Sequence, residues 1–453
     1  MTPIVPTREY GNKTMPGVRG AKPILPVSAT RGWIVALGFA AWLSALWLVR
    51  SLKLGDTVLA MWICIGAFAV VNYCCDVFFL KVHKKESSGL DWKSSRPSFQ
   101  RTLIKLVGLL ASIGFIALIY WLFPEYYKDF FGVNREHPTF YGEYKEMLQR
   151  TLPWWLGLAI PYFYFVDARQ KDPEDGYYAA GMAVTLRLDK VNGRVLWQHC
   201  LSWLVKGYFL ALMFTYYAHD TRTFITYDFS PIRNITSVSS FIRSFGVVFD
   251  FCYFFIFLSD VALACTGYLL SFRIFDTHVR RVEPTFMGWV VALVCYQPFW
   301  SNASSWYLNY TSDYVWGVWL RDKPVLYMIW GSIILVLYAI YLWATIMFGT
   351  RFSNLTHRGI LTNGPYRWTK HPAYIAKNLA FWLTFIPFIV SQNIGDSIRR
   401  CVLLGLLNYV YYLRAKTEEA NLSTDPVYAQ YSEWMKEHGI FRWLRRPKSA
   451  SSG

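Results

Sequence analysis

Gly364-Pro365-Tyr366-Arg367-Trp368-Thr369-Lys370-His371-Pro372-Ala373-Tyr374 is a polar, aromatic and basic stretch set between two apolar runs. Pro324 to Phe348 leads into it, and Ile375 to Val390 leads out. An apolar run as long as the first crosses a bilayer as a helix. The stretch therefore reads as a loop at a membrane surface, and the fold as a set of spans joined by such loops. Its glycine and two prolines resist a continuous helix. Pro372 suits the first turn of the apolar helix that follows. A helix start offers free N–H groups and a positive dipole end to an anion. Arg367, Lys370 and His371 add donors. An anion or nucleotide site is one reading of these residues. A basic loop produced by positive-inside bias alone is the other.

The same alternation runs through the chain. Apolar residues make up 54% of the 453 and charged residues only 17%, so a water-soluble globule is excluded. The fold class is all-α, a polytopic helical membrane protein. The net charge of +17 then belongs to loops facing anionic headgroups. Nucleic acid is not an expected partner, because the basic residues lie beside the spans and form no separate basic domain. The eight cysteines include no matched CxxC pairs, so they read as packing residues and no metal site is expected. Met1 to Arg31 has no early apolar region, so no cleavable signal is expected.

Ten spans are predicted in order: Trp33–Val49, Thr57–Leu80, Leu103–Phe123, Leu152–Val166, Leu196–Tyr217, Phe245–Leu270, Pro284–Trp300, Val325–Phe348, Ile375–Val390 and Ser397–Leu413. A basic tail at 1–32, with Arg8, Lys13, Arg19, Lys22 and Arg31, precedes them. The tail, the loop from Lys81 to Arg101 and the loop from Arg273 to Arg281 all fall on one side. Positive-inside bias makes that side cytoplasmic and places both termini there. Residues 33–323 form a first transmembrane region without an assigned role, 324–447 a second module, and 448–453 a disordered tail. Asp172-Pro173-Glu174-Asp175-Gly176 reads as a solvated acidic turn, since EF-hand spacing is absent. Asp76, Lys206, Asp250 and Asp260 fall in or near spans, where charge is costly and often functional. The structural expectation is that Lys206 pairs with Asp250 or Asp260.

The second informative stretch is Arg414-Ala415-Lys416-Thr417-Glu418-Glu419, followed by Tyr428 and Tyr431. Arg414 and Glu418 share a helix face. The hairpin of the last two spans returns this stretch to the same side as His371. The carboxylates either pair with the basic loop or hold the hydroxyls or amine of a ligand.

Together, Gly364-Pro365-Tyr366-Arg367, His371-Pro372-Ala373-Tyr374, an apolar hairpin and Arg414 with Glu418-Glu419 resemble the isoprenylcysteine carboxyl methyltransferase family. The wider superfamily includes the phospholipid methyltransferases. The resemblance covers about 324–446. It implies a site for S-adenosyl-L-methionine and a membrane lipid or lipidated substrate entering from the bilayer. It implies that Tyr366, His371, Pro372, Tyr374, Glu418 and Glu419 bind the cofactor. Arg367 and Arg414 become the catalytic candidates, as clamps for a carboxylate. Lys377 departs from the pattern, standing where a small or apolar residue is usual. So does the Phe441-Arg442-Trp443-Leu444 ending. Both bear on which substrate is used.

Methyl transfer from a sulfonium is an in-line displacement that needs positioning more than strong base. An amine acceptor would want Glu418 or Glu419 as proton acceptor. No GxGxxG occurs, so a Rossmann-type site is not expected. Two alternatives have other consequences. A membrane sterol or lipid reductase would bind NADPH. A transporter or scaffold would carry a degenerate module.

Overall fold

The computed structural model describes residues 23–124, 126–127, 140–390 and 393–444. The basic tail as far as Lys22, most of the loop after Pro124 and the tail at 448–453 lie outside the described residues.

Among the described residues, twelve principal helices carry the fold. They are α1 (Gly32–Ser51), α2 (Thr57–Phe78), α3 (Phe99–Leu122), α4 (Gly142–Asp167), α5 (Gly176–Val184), α6 (Gly193–Thr226), α7 (Phe245–Leu269), α8 (Phe286–Leu293), α9 (Pro324–Ile346), α10 (Pro372–Phe385), α11 (Ile394–Leu422) and α12 (Pro426–His438). One two-stranded antiparallel sheet pairs β1 (Arg281–Val282) with β2 (Thr356–His357).

Five of these helices are long and apolar enough to cross a membrane: α1, α2, α3, α7 and α9. On α9 the side chains of Val325, Leu326, Ile329, Ile333 and Val336 are exposed. An apolar surface of that extent suits lipid rather than water. The chain is a membrane protein, mostly helical and with almost no strand among the described residues.

The 34-residue α6 runs through the centre. Its Phe209, Leu212, Phe214 and Tyr217 are fully buried, with Phe68 of α2 and Leu258 of α7. Trp42 of α1 donates its indole N–H to the Tyr217 hydroxyl at 3.1 Å. The carbonyls at the end of α6 have no further helical turn to bond. Arg50 of α1 reaches across and donates to those of Ile225 and Tyr227, at 2.9 and 2.5 Å.

Several expectations are corrected. Pro284 to Trp300 is not one helix. It forms the eight-residue α8 and then, after turns, a separate helical turn at Phe299–Asn302. Pro298 has no N–H to offer an α-helix there, and the segment breaks before it. The second apolar run is also shorter as a helix than as a sequence. α10 has 14 residues, and Ile386 closes it in a left-handed conformation, φ 37°, just before Pro387. At 1.5 Å per residue α10 covers about 21 Å, short of a ~30 Å hydrocarbon core. α11 is correspondingly longer, at 29 residues.

The acidic turn at 172–176 is not merely solvated. Asp175 caps α5, accepting from the N–H groups of Tyr177 and Tyr178, and pairs with Lys105 of α3 at 3.2 Å. α5 lies against α3 so closely that a Cβ on Gly108 would sit 1.9 Å from the Tyr177 carbonyl oxygen. Glycine is what allows that crossing.

Lys206 does not pair with Asp250 or Asp260. Its ammonium stands 5.9 Å from the Trp203 ring centre. Asp250 is exposed, and Asp260 is engaged by α9, as described below. Nor is the whole stretch before α1 a free tail. Ala29 donates its N–H to the Ile360 carbonyl at 2.8 Å, and Thr362 donates to Ser28 and Pro26. This strap lies along the segment that leads into the Gly364 loop.

Candidate functional site

The Gly364 stretch folds as a helical turn, Gly364–Arg367, followed by α10. Gly364 holds φ 54°, and a Cβ there would meet Met347 at 2.7 Å, so both conformation and space call for glycine. Pro372 opens α10, and no side chain caps that first turn. The far end of α11 crosses in front of it. There His371 Nε2 meets Glu419 Oε1 at 3.1 Å, and His371 Nδ1 lies 3.8 Å from Glu418 Oε2. The Tyr374 hydroxyl donates to Glu418 Oε1. Arg414 Nε lies 3.5 Å from the same oxygen. Lys370 Nζ approaches Glu419 Oε2 at 3.6 Å and donates to Ser432 of α12 at 2.8 Å.

Two carboxylates one residue apart thus have separate surroundings. Burial works against the charge of Glu419. The hydrogen bond with His371 and the charges of Lys370, His371 and Lys416 outweigh it and hold the carboxyl at about 2. Glu419 is a fixed anion. Glu418 faces the cavity with Tyr374 and Arg414 around it.

Arg414 is held from behind. It donates to Asn354 Oδ1 at 2.7 Å, and Asn354 donates in turn to the hydroxyls of Tyr268 and Tyr296, at 2.9 and 3.0 Å. The guanidinium lies over the rings of Tyr374 and Tyr296, 5.0 and 5.5 Å from their centres. Its orientation is therefore set before any ligand arrives.

These groups border a cavity of about 500 Å³. Its walls come from α6, α7 and the broken segment between 283 and 300 as well as from the segment after residue 324, with Asp260, Tyr296, Lys377 and Tyr411 among the lining residues. The floor is pinned by two buried arginines. Arg358 donates to the carbonyls of Gly267 and Leu270 at 2.7 and 3.1 Å, satisfying the end of α7. Arg351 donates to the Arg358 carbonyl at 3.0 Å and lies 3.6 Å from Asp276. His357 on β2 pairs with Asp425, the N-cap of α12, at 2.7 Å. That bond, opposed by burial, lowers the Asp425 carboxyl below its ordinary value. α12 in turn donates its Tyr431 hydroxyl to the Tyr366 carbonyl at 2.6 Å.

Of the residues singled out from sequence, Tyr366, His371, Pro372, Tyr374, Arg414 and Glu418 all line this cavity. Glu419 stands behind His371. Arg367 does not join them. It ends the Gly364 turn on the exposed side, while Tyr366 turns inward. A clamp role for Arg367 is corrected accordingly. Sequence reasoning passed over Asn354, Tyr296, Arg351 and Arg358. Asn354 and the two arginines cluster within eight positions after a span, which was a signal in itself. Tyr296 had none, since it sits in an aromatic run.

No group of histidine, cysteine and acidic side chains able to hold a metal ion occurs among the described residues. The chain matches no family model, no curated protein and no solved structure in the comparisons made.

Proposed function

We propose that the protein is a multi-pass membrane methyltransferase that uses S-adenosyl-L-methionine and acts on a lipid or lipidated substrate. In this reading both termini and the His371 end of the cavity face the cytoplasm. The observation that carries it is the convergence of His371, Tyr374, Arg414 and Glu418 on one cavity bordered by apolar helices. When bound, S-adenosylmethionine supplies an electrophilic methyl group on a sulfonium. The chain's own residues do the rest. Glu418 offers an acceptor for hydroxyl and ammonium groups, and Glu419 holds His371 in place beside it. Arg414, fixed by Asn354, offers two N–H donors to a carboxylate. Tyr374 and Tyr296 provide aromatic faces. The apolar walls exclude water and align the acceptor, which is where positioning gains its rate.

The test is titration calorimetry of the detergent-purified protein with S-adenosylmethionine and with S-adenosylhomocysteine. Both should bind. His371→Ala and Glu418→Gln should each abolish binding while the far-ultraviolet circular dichroism stays unchanged. Binding of NADPH with neither sulfur ligand would replace this reading with a reductase. Wild-type affinity in both variants would sink the site.

A further inference from the structure

Past Tyr374 the cavity continues along α10 to an element that the cofactor-binding residues do not use. Asp260 of α7 is buried, and both its carboxylate oxygens accept hydroxyl hydrogens from α9. Tyr341 donates to one at 2.6 Å and Thr345 to the other at 2.8 Å. Lys377 of α10 lines the same cavity. Its ammonium sits beside two rings, 5.4 Å from the centre of Tyr341 and 5.8 Å from that of Phe381. No hydrogen bond or ion pair joins Lys377 to another of the described residues. Opposite charges thus share a cavity without touching, although each acts on the other electrostatically.

Lys377 also lines a second cavity. This second chamber, of about 480 Å³, shares Phe257, Cys295, Trp300, Lys377 and Tyr411 with the first. Its outer wall carries Ser304, Ser305, Asn309 and Thr311. That wall adjoins the start of α11, where Arg399 donates to the Asn309 carbonyl at 3.5 Å. The first chamber thus takes in the start of α10 and the second its end, with Lys377 and Tyr411 on the walls of both.

The chemistry around Lys377 and Asp260 is selective. An ammonium supplies only donors, and an ionised carboxylate only acceptors. An anionic ligand would satisfy Lys377 but stand beside Asp260 and Glu418. A cationic one would stand beside Lys377 and Arg414. A neutral hydroxyl, which both donates and accepts, fits between the two. The rings of Phe257, Tyr296, Trp300, Tyr341 and Phe381 offer faces and edges to a flat aromatic group.

We propose that Lys377 and Asp260 read the methyl acceptor, and that the acceptor is a phenol carried on an apolar chain, reaching Lys377 from the second chamber. This rests on the methyl-transfer reading above. In the step, a lone pair of the phenol oxygen attacks the methyl carbon. The carbon–sulfur bond breaks, and its electron pair stays on sulfur. The hydroxyl proton passes to Asp260. The products are a methyl aryl ether and a neutral thioether. Lys377 stabilises charge growing on the oxygen, and Tyr341 and Thr345 hold the carboxylate in place. A phenol ionises near pH 10, as tyrosine does, which a buried carboxylate aided by an ammonium can assist. An aliphatic alcohol is far too weak an acid for this pair.

The experiment uses the full-length protein in detergent and three probes: para-nonylphenol, nonanoate and nonylamine. Binding is measured by calorimetry without cofactor, and methylation with deuterium-labelled S-adenosylmethionine by mass spectrometry. The phenol should bind in preference and become its methyl ether. Lys377→Met should weaken phenol binding about tenfold and leave cofactor affinity unchanged. Asp260→Asn should lower kcat about 100-fold near neutrality. Its rate should then climb toward pH 10, as phenolate forms without help. Preference for nonanoate or nonylamine overturns the proposal. So does an Asp260→Asn pH profile parallel to that of the wild type. Cofactor binding without phenol binding defeats the acceptor assignment alone. Phenol binding without cofactor binding defeats the methyl-transfer reading and, with it, the role of Asp260.

Discussion

Two lysines, the buried Lys105 and the half-buried Lys377, are placed in contrasting ways. Lys105 of α3 has no exposure, and its ammonium touches Asp167 and Asp175, at 3.0 and 3.2 Å, and Gln170 at 2.8 Å. Arg101 adds a second cation on Asp167 at 3.0 Å. Every donor there has an acceptor from the chain, and the cluster locks α3, α4 and α5 together. Lys377 faces open space with aromatic rings beside it. The same side chain closes one polar network and leaves the other incomplete. Burying a charge is costly unless it is paired. A charge that the fold does not pair at a cavity wall points to a ligand, and one that the fold does pair points to architecture.

Substitution separates the two. Lys105→Met leaves Asp167 and Asp175 short of a cation and should cost about 3–5 kcal/mol. Lys377→Met removes a charge that the fold does not pair and should shift stability by about 1 kcal/mol or less. Thermal unfolding in one detergent measures both, and equal losses would erase the distinction.

Glu419→Gln comes next. It breaks the charge-assisted bond to His371 and should cost about 1.5–3 kcal/mol at neutral pH. The Glu419 carboxyl sits at about 2 in the folded chain, against an ordinary 4.5, so its contribution is present in full above the ordinary value. It is lost as pH falls from there toward about 2. Stability curves of wild type and variant should converge over that acid window, and a gap that persisted through it would remove Glu419 as the fixed anion.

Gly108→Ala tests the closed network from its backbone side. The added methyl meets the Tyr177 carbonyl, which cannot swing away, so α3 and α5 must part. A loss of about 1–3 kcal/mol is expected, with cofactor affinity unchanged. Arg367→Ala should have the least effect, within about 0.5 kcal/mol in stability and with no change in S-adenosylmethionine affinity. A large loss of affinity would restore the clamp role that its exposed position denies it.

Much of the candidate site was legible because local chemistry fixes it. The break before Pro372, the helix start there and the shared face of Arg414 and Glu418 each depend on residues within one or two helical turns. Asp260 and Lys377 could be marked as unusual, but the geometry between them could not be known. Their relation runs through α7, α9 and α10, and no spacing in the sequence encodes it. The pairing expected for Lys206 failed for the same reason. Periodicity places a charge on a helix without saying which helix it faces.

By itself the sequence determined that the chain is a helical membrane protein, that α1, α2, α3, α7 and α9 are long apolar helices, and that two polar stretches flank a hairpin. Composition and short-range periodicity carry that information, because bilayer thickness and helix geometry act on each segment alone. Only the tertiary structure decided that Asn354 orients Arg414, that Arg358 closes the end of α7, and that the broken segment from Pro284 to Trp300 lines a cavity. It alone turned Arg367 outward and left Lys377 facing open space. Those outcomes depend on packing among distant segments, where one donor has several possible acceptors and the assembled helices leave it one.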